Sequence, residues 1–162
     1  MKKVLIITGG RTETDFVREV YEEYEPDLVI AADRGMMVAK EIGIIPDYVV
    51  GDFDSGDGEV VSYFKSLFET HVKPIVKAFN PEKDETDTEL AISLSLTLNP
   101  KDIVILGATG TRLDHTLANI ELLYKTLAGG VRARIIDEHN VISIHDKDIN
   151  MKRTEAFGEY FS

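Results

Sequence analysis

The sequence predicts an α/β fold: a mostly parallel sheet with helices on both faces, followed by the start of a small antiparallel β module. Three observations carry that prediction. Short apolar runs alternate with segments of helical period through most of the 162 residues. Several of those runs end in glycine joined to a charged residue, which is how parallel strands feed a ligand-binding edge. After about residue 138 the pattern changes to short β-prone runs separated by turn residues, with no helix-length apolar period.

The elements follow in order. "MKKVLIITGG" opens with a four-residue apolar run followed by Thr8 and a glycine pair, too short for a signal peptide and without a small-residue cleavage site, so 3–8 is a buried first strand. A helix over 12–24 leads to a strand at 27–32, a helix over 34–42 to a strand at 47–51, and a helix over 57–68 to a strand at 71–78. In the next segment Leu90, Ile92, Leu94, Leu96 and Leu98 alternate as a strand would. Its thirteen residues before Pro100, with Ala91 among the leucines, instead predict a helix over 86–98. A strand at 102–107, a helix over 112–128 and strands at 131–137 and 141–145 complete the reading.

Composition narrows the function. A hydrophobic fraction of 43% is enough for one core, and one domain is the expectation. The formal net charge of -11 and pI near 4.8 argue against a nucleic-acid partner, which would need clustered Lys and Arg. An anionic substrate would need a local remedy such as a metal ion. The absence of cysteine removes disulfides and thiolate metal sites and fits a cytoplasmic location. No apolar run approaches the roughly 20 residues that span a bilayer, so a soluble protein with no membrane partner is expected.

The chemistry gathers where strands end. Thr8-Gly9-Gly10-Arg11, Asp33-Arg34-Gly35, Gly51-Asp52-Phe53-Asp54-Ser55 and Gly107 to Arg112 all follow predicted strands, and together they would suit a polyphosphate through close backbone N–H groups and helix N-termini. Asp52 and Asp54 stand at i and i+2, which in an extended segment turns both carboxylates to one side. Two readings fit: a Mg2+ site relieving their repulsion, or a solvated acidic turn with an aspartate capping the helix near Gly58. In "NPEKDETDTELA" a capping box accounts for Thr86 and Glu89 and leaves Asp87 as a candidate third ligand. Lys83 is either a phosphate contact or an ordinary loop lysine. In "GATGTRLDHTLANIELL" Gly107 and Gly110 bracket a turn able to form an anion nest, and Arg112 offers a planar fork for phosphate. Asp114 meets the positive end of the following helix, and His115 is open to a surface or capping role.

Taken in order, "AADRG", "IPDYVVGDFDS", "EKDETDTELA" and "GATGTRLDHTLANIELL" resemble the catalytic, ATP-binding domain of thiamine pyrophosphokinases, from about Val4 to Ile144. The resemblance implies transfer of a pyrophosphoryl unit from ATP to the hydroxyl of thiamine, giving thiamine diphosphate and AMP. It implies that Asp52, Asp54 and Asp87 hold Mg2+ and form the catalytic set. Asp33, Arg34, Ser55, Lys83, Thr86, Gly110, Arg112, Asp114, His115 and Asn119 would surround the nucleotide; the family often has glycine where Arg34 stands. It also implies a nucleotide-binding catalytic domain over 1–138 and an incomplete C-terminal β-rich domain over 139–162. In the family that domain contributes to the thiamine pocket and to a homodimer. A related enzyme acting on a pterin-type alcohol and a nucleotide-binding module without turnover are the two other readings the motifs allow.

Overall fold

Residues Val4 to Ile7 are wholly buried, as the central strand of a parallel sheet covered on both faces requires. The computed structural model describes residues 2–51, 58–70, 73, 75–78 and 85–150. Among these, strands β1 (Lys3–Ile7), β2 (Leu28–Ala32), β3 (Tyr48–Gly51), β4 (Ile75–Ala78), β5 (Asp102–Leu106), β6 (Arg132–Ile136) and β7 (Val141–Ser143) form one sheet. The helices are α1 (Thr14–Tyr24), α2 (Gly35–Glu41), α3 (Gly58–Thr70), α4 (Asp87–Thr97) and α5 (Leu113–Ala128).

The sheet order is β4-β3-β2-β1-β5-β6-β7, with every pair parallel except β6 and β7. The chain builds outward from β1 in one direction, then returns to lay β5 along the other edge of β1, so the topological switch lies between β1 and β5. In open parallel sheets ligands bind beyond the carboxyl ends of the strands at such a switch.

Alternation along each strand feeds two cores. Val4, Ile6, Ile30, Val50, Ile103 and Ile105 pack beneath α4 and α5. On the opposite face Leu5, Ile7, Val29, Val49, Val104 and Leu106 pack against α1, α2 and α3 through Val17, Met36 and Phe64. The alternating leucines of α4 belong to a helix because the segment is sandwiched: Leu90, Ala91, Ile92 and Ser95 are buried, and Leu94, Leu96 and Leu98 pack against the same core. A helix apolar on most of its circumference is one that is covered on most of it.

Element ends differ from the sequence reading by a residue or two, except that β4 begins at Ile75 rather than 71; a local cause is visible in one case. α1 begins at Thr14 rather than 12 because Glu13 is extended (φ -82°, ψ 134°) and its N–H is bound by the Glu138 carboxylate at 2.9 Å. At the opposite end of the sheet from the switch loops, buried Asp102 accepts from the Tyr24 hydroxyl at 2.9 Å and pairs with Arg134 and Arg132 at 3.2 and 3.5 Å. Burial, reinforced by the hydrogen bond to Asp102, pushes the Tyr24 hydroxyl pKa well above the ordinary tyrosine value. This cluster fastens α1 to β5 and β6.

Candidate functional site

Two glycine loops meet over the switch point. Backbone N–H of Thr8 donates to Leu106 O at 2.9 Å and N–H of Gly10 to Gly107 O at 2.8 Å, so the loop after β1 is an extension of its pairing with β5. The approach is closer than a side chain permits. A Cβ at Gly10 would lie 2.0 Å from the Gly107 carbonyl oxygen, and Gly107 itself stands at φ +70°, a conformation natural to glycine. Gly110 carries no such demand, having no described atom within 4 Å of its Cβ position.

The neighbouring β2 loop is held the same way. Asp33 stands in the left-handed region at φ 50°, where aspartate is among the few tolerated side chains. Its N–H donates to Val50 O and its carbonyl accepts from Met36 N–H, both at 3.1 Å, so it stitches β3 to the first turn of α2. A Cβ at Gly9 would lie 2.2 Å from Asp33 Oδ2, which shows how closely the carboxylate is seated against the β1 loop.

A cavity of about 830 Å3 opens between these loops and the N-termini of α4 and α5. Its volume suits a nucleotide-sized ligand. Thr8 to Arg11, Asp33, Arg34, Glu85 to Thr88, Gly107 to Arg112, His115, Thr116 and Asn119 line it. The described lining carries three arginines (Arg11, Arg34, Arg112) against three carboxylates (Asp33, Glu85, Asp87), so it is balanced in formal charge inside a chain of net charge -11. The positive ends of two helix dipoles add to that local remedy.

At α4, Thr86 caps the helix by accepting from Glu89 N–H at 3.2 Å. The reciprocal half of a capping box is replaced: the Glu89 carboxylate accepts from Lys125 of α5 at 3.1 Å, and the same ammonium donates to Ser93 Oγ at 2.9 Å. α4 and α5 are thereby tied beside the cavity. Asp87, in the first turn, is on the cavity wall.

At α5, the Arg112 guanidinium donates twice to Asp114, Nε to Oδ1 at 3.2 Å and a terminal nitrogen to Oδ2 at 2.6 Å. That fork holds the Asp114 carboxyl below the ordinary carboxylate range and raises Arg112. Arg112 and His115 line the cavity, whereas Asp114 is turned to Arg112 and is not part of the lining. Asn119 donates from Nδ2 to Ala108 O at 2.7 Å, fixing the β5 loop to the helix that follows it.

Of the residues proposed from sequence, Asp33, Arg34, Thr86, Asp87, Gly110, Arg112, His115 and Asn119 therefore share one cavity, and Asp114 stands beside it. Asp52, Asp54, Ser55 and Lys83 lie outside the described residues; in sequence Asp52 directly follows Gly51, which ends β3 next to the Asp33 loop. Among the described residues no group of three or more His, Cys, Asp or Glu is placed to hold a metal ion, and none of the described helices is long and apolar enough to cross a membrane.

Sequence reasoning did not anticipate the roles of Gly10, Thr12, Thr109, Asp137 and Glu138. Thr109 Oγ1 donates to Asp137 Oδ2 at 2.8 Å, and Asp137 Oδ1 also accepts from the N–H groups of His139 and Asn140 at 2.8 and 2.7 Å. The Asx-type spacing of Asp137 and Asn140 is a turn signal that could have been read; the contact with Thr109 is not local and leaves none.

Residues 22–135 match the family described as thiamin pyrophosphokinase, catalytic domain. A thiamine pyrophosphokinase of Bacillus subtilis (strain 168) is 35% identical over 144 residues, covering 89% of this chain and 64% of that protein. Its crystal structure superposes with TM-score 0.67 at 32% identity, covering 85% of this chain and 61% of the other. That of a thiamin pyrophosphokinase family protein from Enterococcus faecalis gives TM-score 0.67 at 30% identity, covering 88% and 64%. This chain thus spans somewhat less than two thirds of the relatives it matches.

Proposed function

The chain belongs to the thiamin pyrophosphokinase catalytic-domain family, and from that premise we propose that its cavity binds ATP and that the protein is a thiamine diphosphokinase. The thiamine hydroxyl oxygen attacks the β-phosphorus of ATP, the bond from that phosphorus to the α,β-bridging oxygen breaks, and AMP leaves with the bridging oxygen. The observation that carries the reading is the convergence of the Thr8–Arg11, Asp33–Arg34 and Gly107–Arg112 loops with the N-terminus of α4 around one cavity at the switch point.

Each residue has work suited to its chemistry. Backbone N–H groups of the glycine loops and the first turns of α4 and α5 bind phosphate oxygens. Arg112 exchanges its exposed partner Asp114 for a phosphate, and Arg11 and Arg34 make the local potential more positive, which favours the polyanion. Asp33 or Asp54 accepts the hydroxyl proton. Alignment of nucleophile and leaving group, with charge dispersed over fixed donors, supplies most of the acceleration in such a transfer.

Asp87 on the cavity wall offers the hard carboxylate oxygen that Mg2+ takes beside phosphate, and Asp52 and Asp54, which follow β3 in sequence, would complete the donor set on this reading. When bound, Mg2+ supplies neutralisation of the phosphate oxygens. The acceptor side belongs, on this reading, to a C-terminal β module that opens within residues 139–162 and completes a cytoplasmic homodimer.

The test is release of AMP from Mg-ATP, followed chromatographically, with thiamine, with a pterin alcohol and with no acceptor. AMP formed with thiamine alone is the expected result. Formation only with the pterin alcohol moves the assignment to that acceptor, and ATP binding with no AMP under any condition refutes turnover by this chain.

A further inference from the structure

The β6–β7 turn does not line the cavity, yet it is bonded to the β5 loop, which does, and to the segment that follows the β1 loop. Asp137 accepts from Thr109 of the β5 loop at 2.8 Å across 28 residues of sequence. Glu138 Oε1 accepts from Glu13 N–H at 2.9 Å, 125 residues away, and from Thr12 Oγ1 at a looser 3.4 Å, just beyond the Gly9–Arg11 loop. Neither acid is among the residues facing the cavity.

We propose that Asp137 and Glu138 are positioning residues that hold the β1 and β5 loops in their ligand-ready arrangement, so that the turn leading into β7 sets nucleotide affinity without touching the nucleotide. The inference rests on the reading of the cavity as an ATP site. Two facts argue that these acids are there for their acceptor oxygens. A negative charge close to a polyanion site opposes binding, so electrostatics alone favours neutral residues at both positions. Their oxygens nonetheless collect donors: Asp137 takes the Thr109 hydroxyl, the N–H groups of His139 and Asn140 and the Asn140 amide, more than one neutral carbonyl would satisfy, and Glu138 takes the start of α1 through a single oxygen. Each bond to a carboxylate is charge-assisted, hence about twice as strong as a neutral one. The Asp137 turn is itself closed by Asp137 N–H donating to Asn140 O at 3.0 Å, so the anchor is rigid at its far end.

The Glu138 pair of variants separates bracing from charge. Glu138→Gln and Glu138→Ala remove the same charge, but glutamine keeps a carbonyl oxygen for the Glu13 N–H. The ATP dissociation constant measured calorimetrically with MgCl2 should stay within about twofold of wild type for Glu138→Gln and weaken on the order of tenfold for Glu138→Ala, a factor matching loss of one charge-assisted bond. Amide exchange of residues 9–13 in the unliganded protein should quicken in Glu138→Ala and hold in Glu138→Gln. Equal affinities for the two variants, or tighter binding by both, would overturn the proposal in favour of a simple field effect. Wild-type protein that fails to bind ATP overturns the ATP reading instead, and the exchange comparison then decides by itself whether the brace exists.

Discussion

Gly10→Ala tests the loop contact on which the cavity depends. The added Cβ would sit 2.0 Å from the Gly107 carbonyl oxygen and 2.8 Å from that of Thr109, against a limit of 3.0 Å that real Cβ contacts essentially never breach. Both obstacles are backbone, so no side chain can rotate away and the loops must part by at least the difference, 1.0 Å. A displacement of that size carries the 2.8 Å bond from Gly10 N–H to Gly107 O out of hydrogen-bonding range. The lost bond costs about 1 kcal/mol and the forced repacking about 1–3 kcal/mol, together about 2–4 kcal/mol. For a chain of this length that is a fall in Tm of roughly 5–15 °C. Urea unfolding gives the stability change, and ATP titration of the folded variant gives the effect on the site, where a shift of about 1 Å can cost about 100-fold in turnover. Gly110→Ala is the control, with no described atom within 4 Å and neither effect expected. A Gly10→Ala protein within about 0.5 kcal/mol of wild type, the range of a neutral surface change, and with unchanged ATP affinity would refute the reasoning.

Three further outcomes are expected. Asp54→Ala should lower turnover by orders of magnitude, about 100-fold or more as for loss of one electrostatic stabiliser, while leaving thermal unfolding unchanged; near-normal activity would remove Asp54 from the metal set. Tyr24→Phe deletes the donor to buried Asp102 and should cost about 1–3 kcal/mol in urea unfolding without altering ATP affinity, since the cluster lies at the other end of the sheet. Stability should also fall on acidification. Desolvation pushes the Asp137 carboxyl up, but the His139 N–H, the Thr109 hydroxyl and the Asn140 donors outweigh it; the Glu13 N–H leads in lowering Glu138. Folded values below the unfolded ones mean stability that is present above the ordinary Asp and Glu range and lost as pH falls through the depressed values. The urea midpoint should therefore hold at neutral pH and drop below about pH 4, with the drop blunted in Asp137→Asn.

Much of the fold was legible because burial leaves a periodic trace. Val4 to Ile7 and Ile103 to Leu106 could only be covered strands, and the glycine turns after them marked the ligand edge. α4 shows where period alone misleads: Leu90, Ile92, Leu94 and Leu96 alternate by chance in a helix buried on several sides, and length decided correctly. The residues of the candidate site were legible by type, but their partners were not. Arg112 was read as a fork for phosphate, yet it rests on Asp114 two residues away, because an exposed guanidinium pairs with a carboxylate close to it in sequence. Gly110 drew attention as the second glycine of its turn, whereas the steric demand falls on Gly10, whose contact with Gly107 is set by pairing of strands far apart in the sequence. Glu89 had a complete local explanation in the capping box, and a lysine on another helix took half of it. Contacts spanning 28 or 125 residues, such as those of Asp137 and Glu138, have no period to betray them.

The order of the strands also governs how the chain leaves the ribosome. β1 is synthesised first and sits at the centre, but its partner β5 is encoded far behind it: Thr8 and Leu106, bonded through Oγ1, are 98 residues apart. At about 5–20 residues per second, one hydrogen-bonding edge of the central strand waits roughly 5–20 s for its neighbour to emerge. During that interval β2, β3 and the helices over them can assemble on the other side, leaving a half-sheet with an open flank of the sort that invites pairing between nascent chains. The cavity comes into being only when β5 closes that flank, so a ligand of the cavity cannot assist the early steps and can stabilise only the completed sheet.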